Sequence, residues 1–425
     1  MSPAMADLIV VLNRQIIGAI THVDGKPRFS YMDDYASDPD ATPLSLSMPL
    51  AVGRSYDHKV TAPWLSNLLP DDDQVRANWA RELGISASSA TALLERVGHD
   101  VAGAVQLATP DEIDNLLAQS GSFFEAITDE LIGTRLRELL SRPSQWAHVD
   151  EGWSLAGAQS KFTVARPSAG QWAWPRGAAP STHIIKPGIG GYPGQVLNEH
   201  LCLRALQRVG VVTARTEFTS FDGVEAIVVE RYDRLRLPSG TVIRLHQEDM
   251  CQALSVWPQN KYTSSGGPSA VDISQLLSRV ASQRDVDRFT DAVIAQYLLG
   301  APDGHAKNYS VILDGEDVTL APIYDVASML PYPREAGSSL DRVAMSIAGH
   351  NKFGDVKLKH LERFANNTGT SPERLVARTR EMATQLPDAI ADAAADLEAE
   401  GLIELRDSLI REVRALTATI GGLLG

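Results

Sequence analysis

Short, largely apolar segments open the chain. Leu8 to Asn13, Gln15 to His22 and Arg28 to Tyr31 read as strands separated by polar or glycine-containing turns, which predicts a small β unit. Pro70-Asp71-Asp72-Asp73 then precedes a helical pattern through Trp79 and Leu83, and Ser86 precedes another through Leu93, Leu94 and Val97. From Trp153 to about Val242 the period shortens toward two, predicting strands at Lys161 to Ala165, His183 to Lys186, Thr216 to Ser220 and Ala226 to Glu230. One helix, about Gln195 to Val209, interrupts them and ends at Gly210, a residue suited to a left-handed cap. After residue 245 the pattern is mostly helical, with Val286, Phe289, Val293, Tyr297 and Leu298 at helix spacing before Gly300 and Pro302 break it. Ser371-Pro372-Glu373 is a helix cap and first turn, and Leu402, Leu405, Leu409, Val413 and Leu416 form one apolar stripe. The expected organisation is α+β in three segments: 1–135, a β unit plus helices; 136–245, a mixed-sheet lobe; and 246–425, a helical lobe.

At 425 residues the chain exceeds what one core usually organises, and 44% hydrophobic with 22% charged residues is the balance of a folded protein. A formal charge of -14 disfavours wrapping a phosphate backbone over a large area, so any nucleic-acid contact is expected to be local or indirect. A basic strip, Arg231, Arg234, Arg236 and Arg244, is open to two readings, a face for nucleic acid or acidic protein and a solvated strand surface. Cys202 and Cys251 are the only cysteines, too few for a disulfide framework or a thiolate metal site. With no signal-like start and no apolar run of membrane-spanning length, the expected compartment is the cytoplasm.

Chemistry concentrates in Pro302-Asp303-Gly304-His305-Ala306-Lys307-Asn308, polar residues between a helix end and a predicted strand, Tyr309 to Leu313. Asp303 and Asn308 have the spacing of a D-x-x-x-x-N loop, in which a carboxylate orients a hydroxyl and an amide oxygen holds Mg²⁺. A further strand, Val318 to Tyr324, is expected to end in Asp325, a second hard oxygen donor suited to Mg²⁺. Upstream, His183-Ile184-Ile185-Lys186 is an apolar strand ending in a lysine placed to hold phosphates, with Glu199 on the following helix as its candidate partner. Ala156-Gly157-Ala158-Gln159-Ser160-Lys161 is small and polar ahead of a strand, so its backbone N–H groups are candidates to cradle phosphate oxygens. Singly these features equally describe turns, caps and solvated faces; their order and spacing favour nucleotide chemistry.

Taken together, Ser154 to Lys161, His183 to Lys186, Val229-Glu230-Arg231-Tyr232-Asp233, Gln247 to Gln252, Asp303 to Asn308 and Tyr324-Asp325 resemble the HipA serine/threonine kinase toxins. Leu44 to Leu50 and Trp64 to Pro70 extend the likeness into the first segment. The resemblance implies a bilobal, phosphatidylinositol-kinase-like fold with an extra N-terminal subdomain, a mixed β-sheet N-lobe and an all-α C-lobe, using ATP and Mg²⁺. It further implies Asp303 as catalytic base, Asn308 and Asp325 as metal ligands, Lys186 at the phosphates and Ala156 to Lys161 as the phosphate loop. Glu230 and Tyr232 would lie at the adenine hinge, His305 and Lys307 would line the nucleotide side, and Tyr324 would adjoin the ATP site. Ser154 matches the serine this family autophosphorylates to switch itself off. Implied partners are an aminoacyl-tRNA synthetase as protein substrate, with growth arrest as the consequence, and a helix-turn-helix antitoxin of HipB type that links the chain to DNA indirectly. Two rival readings remain: a small-molecule phosphotransferase, which shares the D-x-x-x-x-N loop, and a catalytically weak scaffold binding the antitoxin.

Overall fold

Two two-residue turns fold the start of the chain. Asn13-Arg14 and Asp24-Gly25 all have positive φ, the geometry that matches the right-handed twist of flanking strands. They join Leu8–Leu12, Gln15–Val23 and Lys26–Tyr31, which with Ser55–Tyr56 and Val105–Ala108 make a five-stranded sheet in which 8–12 lies between 15–23 and 105–108. The computed structural model describes residues 7–145, 152–168, 170–333, 339–397 and 403–424. Leu8–Leu12 is buried on both faces, Leu8, Val10 and Leu12 in one core and Ile9 and Val11 in another, which explains its unbroken apolar run. Helices His58–Ser66, Asp73–Leu83 and Ala90–Val97 follow, started by side-chain caps at Asp57, Asp72 and Ser89. The third cap is thus Ser89, not the expected start at Ser86: Ser86 binds Ser88 instead.

A six-stranded antiparallel sheet comes next, ordered 216–221, 224–230, 183–187, 162–168, 171–176 and 123–127. Its outer strand Phe123–Ile127 comes from before residue 136, and one apolar core runs from Leu8 through Trp64, Trp153 and Phe162 to Val228. The helix Gln195–Arg208 sits behind this sheet and contributes Leu197, Leu201 and Leu206 to the second large core, shared with Phe289, Leu298, Phe364 and Leu386. That core belongs to the helices Ala270–Val280, Gln283–Leu299, Leu358–Thr368, Pro372–Ala395 and Ile403–Leu424. Leu409 and Val413 of the last stripe are buried and Leu405 and Leu416 pack partly; Leu402 lies outside the described residues. The C-lobe, expected all-α, also holds a three-stranded sheet, His246–Asp249, Ser310–Asp314 and Asp317–Leu320, and a hairpin, Arg342–Ile347 with His350–Lys352. Backbone around the polar loop is thereby fixed by strand ladders. Among the described residues no helix is long and apolar enough to cross a membrane.

The motif Gln247 to Gln252 fastens the first segment to the C-lobe. Glu248 accepts from Leu46 N (2.7 Å), Gln252 donates to Trp64 O (3.3 Å), and Asp249 caps the short helix Met250–Ala253. The basic strip is also internal. Arg231, Arg234 and Arg244 are buried, paired with Asp100 across 131 to 144 residues of sequence, and Arg231 and Arg234 also pair with Asp233. Only Arg236 of the four is exposed, so the reading as a nucleic-acid face is corrected: buried guanidinium groups require buried carboxylates, and these found theirs. Burial alone would raise the Asp100 pKa, but Arg234, Arg231 and Arg244 hold it well below the usual carboxylate range. Asp100→Ala leaves Arg244 without its carboxylate and Arg231 and Arg234 with Asp233 alone, and is expected to cost about 3–5 kcal/mol, measured by urea denaturation.

Candidate active site

A cleft of about 1020 Å³ separates the six-stranded sheet from the helical lobe. Lys186 enters it from the strand His183–Pro187, where alternation turns its side chain away from the neighbour Ile185, buried in the core. Its ammonium donates to Glu199 Oε1 (2.9 Å) and Asp325 Oδ1 (2.5 Å). Glu199 is 1% exposed and also accepts from Gln195 Nε2 (3.3 Å), so it is a buried partner and not a solvated helix residue. Burial works to lower the Lys186 pKa, yet Asp325 and Glu199 raise it above the ordinary lysine value. Burial raises Glu199, against the opposing pull of Lys186. Asp325, whose side chain is 38% exposed, would also rise on burial, but Lys186 and Lys161 bring it down to about 2.

The opposite wall is the loop after Gln283–Leu299. Gly300, at φ 64°, ends that helix, and a 3-10 turn, Ala306–Asn308, leads into Ser310–Asp314. At Gly304 a Cβ would lie 1.7 Å from Gln296 Oε1, so a side chain there would displace the Gln296 amide. Asp303 is exposed to the cleft and accepts from the Tyr262 hydroxyl (2.5 Å); the enclosing walls and nearby Asp325 raise its pKa. Asn308 donates to Asp325 O (3.4 Å), so the two expected metal ligands are neighbours. Asp325 does not end a strand as expected. The strand stops at Leu320, ahead of Pro322, which lacks the N–H a ladder needs, and Asp325 sits in an irregular segment at φ 60°, a conformation strained for a non-glycine residue.

Ala156 to Lys161 form an irregular loop before Phe162–Ser168, with Gly157 at φ 102°. Lys161 Nζ donates to Ala156 O (2.6 Å), and Gln159 to Pro187 O (3.1 Å), pulling the loop over Lys186. Ser160 donates to Pro143 O (3.0 Å). Burial, reinforced by Lys186, lowers Lys161 to about 8. Ser154 is fully buried and its hydroxyl donates to Leu68 O (2.8 Å). At the inner edge, Glu230 ends its strand and is exposed, while the Tyr232 ring stacks on Tyr324 (centroids 5.8 Å) and its hydroxyl donates to Gln247 (2.5 Å). Tyr324 donates to Lys307 O (2.8 Å). His305 is buried with its ring edge-on to Tyr262, and burial together with Lys261 lowers it to about 3, leaving it neutral.

Three cleft residues went unread in the sequence: Asp71, Lys261 and Tyr262. Asp71 takes Lys307 (2.8 Å) on one oxygen and Lys261 (2.8 Å) on the other. Burial would raise its pKa, but these lysines hold it well below the usual range. Lys307, expected to line the nucleotide side of the loop, is committed to this carboxylate.

A β-rich lobe and a helical lobe around a Lys–Glu–Asp cleft define a bilobal kinase-like fold. A model of the HipA-like C-terminal domain matches residues 153–390, and a model of the HipA N-terminal domain matches 8–108. The chain belongs to the HipA family. It is 34% identical to the Sinorhizobium fredii protein Y4mE, whose name calls it a kinase only provisionally, over 90% of this chain and 89% of the relative. It is 26% identical to the serine/threonine-protein kinase toxin HipA of Shewanella oneidensis over 82% and 80% of the two chains. The solved complex of HipA, HipB and operator DNA from Shewanella oneidensis MR-1 shares the fold, with TM-score 0.82 and 23% identity over 98% of each chain.

Lys186→Met leaves Glu199 buried without its cation. The variant is expected to lose about 3 kcal/mol at pH 8 and less at pH 5. A carboxyl whose folded pKa is raised is favoured protonated, so its penalty grows as pH rises through that pKa; urea melts at both pH values measure the difference.

Proposed function

We propose that this protein is a HipA-like serine/threonine protein kinase toxin that transfers the γ-phosphoryl group of ATP to a protein hydroxyl. The observation that carries the reading is the convergence of Lys186 from a strand, Asp303 and Asn308 from one loop, and Asp325 from a third segment on one cleft. Asp303 orients the acceptor hydroxyl and takes its proton; its raised pKa favours that. Lys186, held by Glu199, meets the phosphates, and backbone N–H groups of Ala156 to Lys161 cover them. Glu230, Tyr232 and Tyr324 border the adenine, and within the catalytic loop His305 lines the nucleotide side while Lys307 is held by Asp71. The Asp325 carboxylate and the Asn308 amide are hard oxygen donors, a set that fits Mg²⁺ with its remaining positions left to water and phosphate. When bound, that ion neutralises charge on the phosphates.

Ser154 deepens the reading into a switch. Its hydroxyl is sealed in protein and donates to a carbonyl, whereas a phosphoserine ester oxygen has no hydrogen to donate and carries about two negative charges with it. Phosphorylation is therefore incompatible with the observed loop position and would expel the loop, ending activity. By family likeness the substrate is an aminoacyl-tRNA synthetase, whose modification arrests growth. The partner is a helix-turn-helix antitoxin of HipB type that contacts DNA, in the cytoplasm. Segments 1–135, 136–245 and 246–425 correspond in this reading to the N-terminal subdomain, nucleotide lobe and catalytic lobe.

Incubation with ATP and Mg²⁺ followed by intact-mass measurement is expected to add one phosphate, mapped to Ser154. Asp303→Gln is expected to add none while retaining its circular dichroism spectrum; phosphate gain in that variant removes Asp303 from the mechanism. Ser154→Ala is expected to phosphorylate a protein acceptor at the initial wild-type rate without the decline over time that self-inactivation produces. An identical decline in both proteins would exclude the switch.

A further inference from the structure

We propose that Asp71 is a positioning residue through which the N-terminal subdomain sets the phosphate loop and the catalytic loop against one another. The inference rests on the kinase reading only for its consequence, not for its geometry. Asp71 makes three contacts in three directions. One carboxylate oxygen holds Lys307, between His305 and Asn308 of the catalytic loop; the other holds Lys261, next to Tyr262, whose hydroxyl meets Asp303. Its main-chain N–H donates to Gly157 O at the apex of the phosphate loop (3.1 Å).

The residues just before it repeat the arrangement. Leu68 O accepts the Ser154 hydroxyl (2.8 Å) at the start of the phosphate loop, and Asn67 Nδ2 donates to Val256 O (2.8 Å) in the C-lobe. Residues 67–71 thus grip the phosphate loop at two points and the C-lobe at three, while the helix caps at Asp57 and Asp72 hold the stretch from either side. Asp72 alone caps the following helix, so the Asp71 carboxylate is free of any capping duty. A buried carboxylate between two ammonium groups is held rigidly, because displacement leaves Lys261 without its carboxylate and Lys307 with only the more distant Asp249 (3.9 Å). Rigidity at the side chain fixes the main-chain N–H that meets Gly157. Loss of either lysine would therefore be felt in a loop that the lysine does not touch.

Hydrogen exchange read by mass spectrometry on nucleotide-free protein tests this without requiring activity. Asp71→Asn is expected to speed exchange in peptides covering 154–161 and 303–308 by about tenfold or more, with the sheet 8–31 unchanged. Lys261→Met, which removes only one partner of Asp71, is expected to speed the 154–161 peptide as well, and it stands in if Asp71→Asn does not fold. Acceleration confined to 303–308, or equal acceleration throughout, overturns the proposal, because Asp71 would then be a local ion-pair partner or a general stabiliser. If the wild-type chain transfers no phosphate, the kinase reading fails and the exchange result still decides the role of Asp71.

Discussion

Lys186 keeps its charge where water scarcely reaches, and the two lobes are joined by what stabilises that charge. Its carboxylate partners differ in kind. Glu199 is almost fully buried and, among the described residues, pairs with no other cation, so it is the fixed anchor of the ammonium. Asp325 comes from the opposite lobe, is the more exposed of the two, and has Lys161 as a second cation nearby. Two lysines and two carboxylates balance locally, which lets four charges share one cleft at tolerable desolvation cost. Asp325 is the partner able to exchange an ammonium for another cation. The positive φ at Asp325 is understandable in those terms: strain at one residue is tolerated where surrounding contacts determine its position.

The same electrostatic rule recurs twice more. Asp100 gathers three arginines where the first sheet meets the strands after residue 230, and Asp71 gathers two lysines where the first segment meets the cleft. In each case a carboxylate of the N-terminal segment neutralises cations of later segments. Apolar burial supplies most of the cohesion, but it is non-directional. The ion pairs add what burial lacks, a defined register between parts far apart in sequence.

That division explains what the sequence could disclose. Strands 8–31 were legible because short apolar runs and the polar or glycine-containing turns between them are local signals. So were Lys186, at the end of an apolar strand, and the Asp303–Asn308 pair, whose spacing is set by one short loop. Glu199 was legible as the candidate partner of Lys186 but its burial was not, because helical-wheel reasoning equates polar with exposed, yet the helix Gln195–Arg208 is buried on most sides. The strip of Arg231, Arg234 and Arg244 looked like surface because its partner Asp100 lies more than 130 residues away. Asp71 was hidden by its neighbours: three consecutive aspartates read as the acidic start of a helix, and only Asp72, the cap, and Asp73, in the first turn, do that work. Pro322 was a usable signal that the strand before Asp325 stops early.

The loop from Ala156 to Lys161, proposed to cover the phosphates, is held mainly by polar contacts. Ser154 is fully buried, but from Ala156 to Lys161 the contacts are mainly polar: Lys161 to Ala156 O, Gln159 to Pro187 O, Asp71 N to Gly157 O. Hydrogen bonds of this kind contribute about 1 kcal/mol each net of water, so the seated and released forms of the loop differ by only a few kcal/mol. A core strand, held by apolar packing on both faces, has no such neighbouring state. A modification of roughly −2 charge at Ser154 is of the right size to reverse the balance, because it removes the bond to Leu68 O and puts a buried anion in its place. Small stability in this loop is therefore the physical condition for the proposed switch, and the Asp71 N–H on Gly157 O is one of the few contacts that tie the loop to the residue holding Lys307.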